Sequence, residues 1–142
     1  MFTIPEEHKH VFKAVAYMIE RKLLDMQMDI IAHRSKMRYV SFEYADDIAE
    51  EYLKKMEQAI NTMYNELEIF CTQYGVPKQH ISFKNELAIK ANFLWEDITS
   101  ANSKSMRGYG KLEGAVITDY EKKINEMIAT VNQLIQTCEL KI

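Results

Sequence analysis

Residues 11–40 read VFKAVAYMIERKLLDMQMDIIAHRSKMRYV and contain neither glycine nor proline. Apolar side chains recur in this stretch at steps of three and four residues, which is the spacing of one face of an α-helix. The run without glycine or proline extends from Glu6 to Tyr74. Strands need turns every few residues, so a run of this length favours helix over sheet. The helical stripe consists of Phe12, Val15, Ile19, Leu23, Met26, Ile30, His33, Met37 and Val40.

The same periodicity continues over residues 45–74, 87–101 and 112–138, and it predicts three further amphipathic helices. The apolar stripe of the second helix consists of Ala45, Ala49, Tyr52, Met56, Ala59, Met63, Phe70 and Tyr74. Glycine or proline residues separate these three segments from one another. Sequential helices joined by short connections pack antiparallel. The sequence therefore predicts an all-α protein, an antiparallel up-down-up-down four-helix bundle with helices of 24 to 35 residues, in a single domain over residues 1–142.

Local signals mark several helix ends. Thr3-x-x-Glu6 has the spacing of a capping box and predicts the start of the first helix. Gly75 predicts the end of the second helix, and Ser82 can cap the third.

No glycine or proline marks a turn between the first two helices. We predict that turn at residues 34–41, with Ser41 as the cap of the second helix. The alternative is one long helix over residues 6–74 with two shorter helices, which would need an oligomer to cover its length.

Composition narrows the function. The chain of 142 residues has a net charge of −3 and two cysteines, Cys71 and Cys138, which do not form a disulfide framework. It has no signal-peptide pattern and no run of 18 apolar residues, so we expect a cytoplasmic protein without a membrane partner. No motif calls for a cofactor. We expect a non-enzymatic protein, because no nucleophile elbow or paired Glu-x-x-His motif is present.

The first helix carries more apolar side chains than one buried stripe needs. This surplus predicts a second face that contacts another protein, either a second copy or another helical partner. The predicted interaction surface consists of Val11, Met18, Leu24, Met28 and Ile31. The expected function is that of a helical interaction module, homo-oligomeric or partner-binding.

An alternative function comes from basic residues. In an up-down-up-down bundle the first and third connections lie at one end, and the stretch SKSMRGYGKLEG at residues 103–114 forms the third. Exposed glycine amides beside basic side chains suit a phosphate or a nucleic acid. The predicted anion-binding residues are Arg34, Lys36, Arg38, Lys104, Arg107, Gly108, Gly110 and Lys111.

Histidines suggest a weaker hypothesis at the opposite end. His8, His10 and His80 are chemically suited to zinc, although their spacing is not that of a zinc finger. The EEHKH segment is equally typical of a hydrated first helical turn.

Overall fold

A computed structural model describes residues 2–102, 104 and 110–139 of the chain. In this part the protein forms four α-helices and no strand: α1 (Glu6–Arg34), α2 (Glu50–Gln73), α3 (Phe83–Ser100) and α4 (Gly114–Glu139). The predicted all-α class and the number of helices are confirmed, and the alternative of one helix over residues 6–74 is wrong. None of the helices in the described residues combines the length and the apolar character needed to cross a membrane.

The chain divides into two compact units, and the first comprises residues 1–79. In this unit α1 and α2 form an antiparallel hairpin. The Phe12 ring near the start of α1 lies 5.7 Å from the Phe70 ring near the end of α2, and Arg34 at the end of α1 pairs with Glu50 at the start of α2. The buried apolar residues of the hairpin are Ala16, Leu23, Ile30, Leu53, Ile60 and Leu67.

The second unit comprises residues 80–142, and in its described part α3 and α4 form another hairpin. The Tyr120 hydroxyl near the start of α4 donates a hydrogen bond to the Ala101 carbonyl just after α3, so the two helices run antiparallel. The buried apolar residues described here are Ala91 and Val131. That both hairpins form one up-down-up-down bundle within a single domain stays a prediction.

The start of α1 differs from the predicted capping box. Pro5 occupies the N-cap position with φ −56° and ψ 144°, and no side chain caps the helix. Thr3 lies two residues before this cap, so its hydroxyl is not placed to accept from the first turn. Glu6 instead accepts a hydrogen bond from the Lys9 ammonium at 2.7 Å.

Two other helix ends agree with the sequence. Gly75 has φ 60°, and α2 ends there in a Schellman arrangement. The Val76 N–H donates to the Cys71 carbonyl at 2.8 Å, and the Gly75 N–H donates to the Thr72 carbonyl at 3.4 Å. At the start of α3 the Ser82 hydroxyl accepts from the Asn85 N–H at 3.2 Å, which confirms the predicted cap.

The connection between α1 and α2 is longer than predicted. The chain leaves α1 at Ser35 and passes through Lys36 at φ 51°, but α2 begins only at Glu50. Ser41 is therefore not its cap, and Ala49 stands at that position without a capping side chain. The predicted helix length of 24 to 35 residues is also wrong for α3, which has 18 residues.

Candidate functional site

The predicted interaction surface on α1 is exposed. All five of its residues keep a large share of their surface in contact with solvent, from 39% for Leu24 to 61% for Met28. Apolar side chains of this size are expected inside a protein or at an interface. The first helix therefore offers apolar area that α2 does not cover.

These residues lie on two sides of α1. Successive residues turn by about 100°, so Leu24 lies about 240° around the helix from Met18. Val11 and Met18, which are seven residues apart, share one side. Leu24, Met28 and Ile31 follow at steps of four and three on the other side and form what we name the flank strip. The five predicted residues therefore divide between two sides of α1.

The side of Val11 and Met18 continues across the hairpin. On α1, Val15 and Met26 lie beside the buried line and are partly exposed. On α2, the exposed side chains of Tyr52, Met56 and Met63 are displaced from its buried line in the same rotational sense, by about 40–80°, whereas the exposed Ile69 lies on the opposite side of the helix. In an antiparallel pair this brings both sets to the same side. We name this set the open face; it consists of Val11, Val15, Met18, Met26, Tyr52, Met56 and Met63.

Part of the open face was not predicted from the sequence. Periodicity assigned Val15, Met26, Tyr52, Met56 and Met63 to the buried stripes, and the structure leaves them exposed. The width of each apolar stripe in the sequence could have indicated this exposure, because one partner helix covers only part of a broad apolar face.

Two polar groups of α2, the Tyr64 hydroxyl and the Cys71 thiol, have a raised pKa. The Tyr64 hydroxyl is buried and has no hydrogen-bond partner among the described residues; burial, and then the Glu20 carboxylate, raise its pKa. Burial and Glu20 also raise the pKa of the Cys71 thiol. A raised pKa keeps a thiol protonated, which disfavours Cys71 as a nucleophile.

The guanidinium of Arg34 lies where the two ends of the connection over residues 35–49 come together. It pairs with Glu50 at 2.7 Å and with Glu57. The hydrogen bonds that Arg34 donates to the Glu57 carboxylate and then to the Glu50 carboxylate raise the pKa of Arg34, and the bond to Glu57 lowers the pKa of Glu57. The His33 Nε2 atom lies 3.5 Å from the Asp46 Oδ1 atom in the same region. These contacts give Arg34 a structural role.

Three aromatic rings pack against one another within this connection. The rings of Tyr39 and Phe42 are stacked at 4.4 Å, and Tyr44 lies 5.7 Å and 5.5 Å from them. A loop packed by its own side chains with its ends close together is an Ω-loop. It borders a depression of about 1270 Å³ that is lined by side chains of both charges, among them Arg38 and Asp47.

The predicted basic end divides between the units. Arg34, Lys36 and Arg38 belong to the first unit, and Lys104 and Lys111 belong to the second. Arg107 and Gly108 lie outside the described residues. Gly110 has φ 111°, as expected for a glycine in a turn. Arg34 is committed to two carboxylates, so the anion-binding hypothesis loses one of its cations.

The histidine hypothesis finds no support in the described ranges 2–102, 104 and 110–139. No three His, Cys, Asp or Glu side chains of these residues form a group that could hold a metal ion. His8 and His10 are two residues apart on α1, so their rings point to different sides of the helix.

No protein-family model, curated protein or solved structure matches this chain.

Proposed function

We propose that this protein is a helical interaction module that acts by binding another protein through the apolar surfaces of its first hairpin. One observation carries the proposal: α1 is apolar on two sides besides the side that α2 covers, and both are exposed. Exposure of such an apolar face to water costs about 25 cal/mol of free energy per Å² of apolar area. Association would remove that cost.

Methionine suits such a surface. The open face contains Met18, Met26, Met56 and Met63, and the flank strip contains Met28. Methionine is unbranched and flexible, so it adapts to partners of different shape.

Site-specific photo-crosslinking tests the proposal. A photoreactive amino acid replaces Met63 on the open face, Met28 in the flank strip, or Glu68 as a control. Glu68 is exposed on the same helix as Met63 but lies about 140° around it. Each variant is irradiated as purified protein and in an extract of the cells that produce it.

We expect a reproducible adduct of one protein, identified by mass spectrometry, at position 63 or 28 and not at position 68. Equal labelling at all three positions, or an absence of adducts in both the purified protein and the extract, would contradict the proposed function.

A further inference from the structure

We infer that the partner of the open face is a second copy of this chain, placed so that α1 of each copy packs on α2 of the other. The inference rests on the proposed function and names its partner. Its first support is the apolar character of the open face, whose seven large side chains on α1 and α2 are 36–55% exposed. The interfaces of obligate homodimers are apolar in this way and resemble a domain core divided in two.

The second support is the register of the hairpin. Phe12 lies beside Phe70, and Arg34 beside Glu50, so α1 and α2 residues whose numbers add to about 83 are level. Rotation about a two-fold axis parallel to the helices leaves the position of each residue along the helix axis unchanged. The same levels therefore apply across the interface, and every neighbouring helix pair is antiparallel, as in a four-helix bundle.

One pair of opposite charges is level in this register. Asp29 lies on the same side of α1 as Val11 and Met18, and in the proposed dimer it is level with Lys55 of the partner subunit. Lys22 lies on that side too, about 7 Å along the axis from the level of the partner's Glu66. Each pair of opposite charges occurs twice in a symmetric dimer, and such pairs set the orientation of the subunits.

The other symmetric arrangement is disfavoured by charge. A two-fold axis perpendicular to the helices would place α1 against α1 of the other copy. Lys22 lies near the middle of the open face, so the two Lys22 ammonium groups would meet at the centre of the interface. Like charges opposite each other oppose that arrangement.

Charge reversal in the full chain tests the inference. Wild type, Asp29→Lys, Lys55→Asp and the double variant are compared by light scattering and sedimentation equilibrium over a dilution series at low salt. Glu68→Lys, a reversal outside the open face, is the matched control. Far-UV circular dichroism checks that every variant keeps its helices.

We expect a wild-type dimer, an increase of about tenfold in Kd for each single reversal, and recovery to within about threefold of the wild type in the double variant. The control should match the wild type. A monomer at every concentration would overturn the inference and leave the open face to α3 and α4 of the same chain or to another protein.

A dimer whose Kd is unchanged by the single reversals, or not recovered in the double variant, would also overturn the inference. It would place the contact on another surface or in another register. In both cases the crosslinking experiment decides separately whether the proposed function stands, because an adduct formed only in the extract identifies a different partner.

Discussion

At the scale of single residues, the Tyr64 hydroxyl has the least favourable environment in the first hairpin. It is buried without a hydrogen-bond partner among the described residues. A buried polar group that has lost its water and gained no partner costs about 1–3 kcal/mol, whereas its removal leaves the packing of the ring intact. Native proteins retain few such groups.

Tyr64→Phe should therefore raise the free energy of unfolding by about 1 kcal/mol. Urea denaturation followed by circular dichroism measures the change. Tyr52→Phe is the control, because Tyr52 is exposed, and it should leave the stability unchanged. If Tyr64→Phe is less stable than the wild type, the hydroxyl has a partner that stabilises the fold.

Glu57 shows how one ion pair makes stability depend on pH. Its pKa in the folded protein lies below the ordinary value of 4.5, because Arg34 donates a hydrogen bond to its carboxylate. A carboxyl group with a lowered pKa contributes stability above its unfolded-state pKa. That contribution is lost as the pH falls through the folded-state pKa.

Glu57→Gln should be less stable than the wild type at pH 7, and the difference should shrink as the pH falls below about 4.5. Urea midpoints at neutral and acidic pH measure it, with Glu68→Gln as a control on the same helix. Parallel pH profiles for Glu57→Gln and the wild type would show that the pair does not contribute to stability.

At the scale of helices and their ends, Gly75 has the clearest conformational requirement. Its φ of 60° lies in the left-handed region, where a Cβ costs about 1–2 kcal/mol. The residue closes α2 by the two hydrogen bonds of the Schellman arrangement. Any other L-residue must adopt the same backbone conformation or give up those bonds.

Gly75→Ala should lower the free energy of unfolding by about 1 kcal/mol. Gly114→Ala is the matched control, since Gly114 is the first residue of α4 and an added Cβ there meets nothing within 4 Å. The control should be neutral or slightly stabilising, because alanine favours helix over glycine. Equal effects at the two positions would rule out a special role for the backbone of Gly75.

At the scale of the whole molecule, the two units differ in how much they bury. The first unit buries six apolar side chains, whereas the described part of the second buries Ala91 and Val131. Burial of apolar area is the main term that stabilises a fold. On this basis the second unit should be the less stable of the two.

The single tryptophan, Trp95, lies in α3 and reports on the second unit. We expect the two units to unfold separately, with the fluorescence transition of Trp95 at a lower urea concentration than the main circular dichroism transition. Coincident transitions would instead indicate one cooperative domain, as the sequence analysis predicted.

Features that depend on neighbours along the chain could be predicted from the amino-acid sequence. Helical periodicity and the absence of breakers predicted four helices, and Gly75 and Ser82 marked two ends correctly, because a turn or a cap needs only a few adjacent residues. The same local reasoning failed at Thr3, where Pro5 moved the start of the helix. It also missed the Ω-loop, which no glycine or proline announces.

Which sides of the helices are covered depends on long-range contacts that form when the chain folds. Arg34 meets Glu50 and Glu57 across the loop, and Phe12 meets Phe70 at the far end of the hairpin. Contacts between residues so distant in sequence leave no local pattern. Periodicity shows that a side chain lies on an apolar face, but burial depends on how wide that face is relative to the one helix that covers it. For that reason Met56 and Met63 were predicted in the core and are found on the open face.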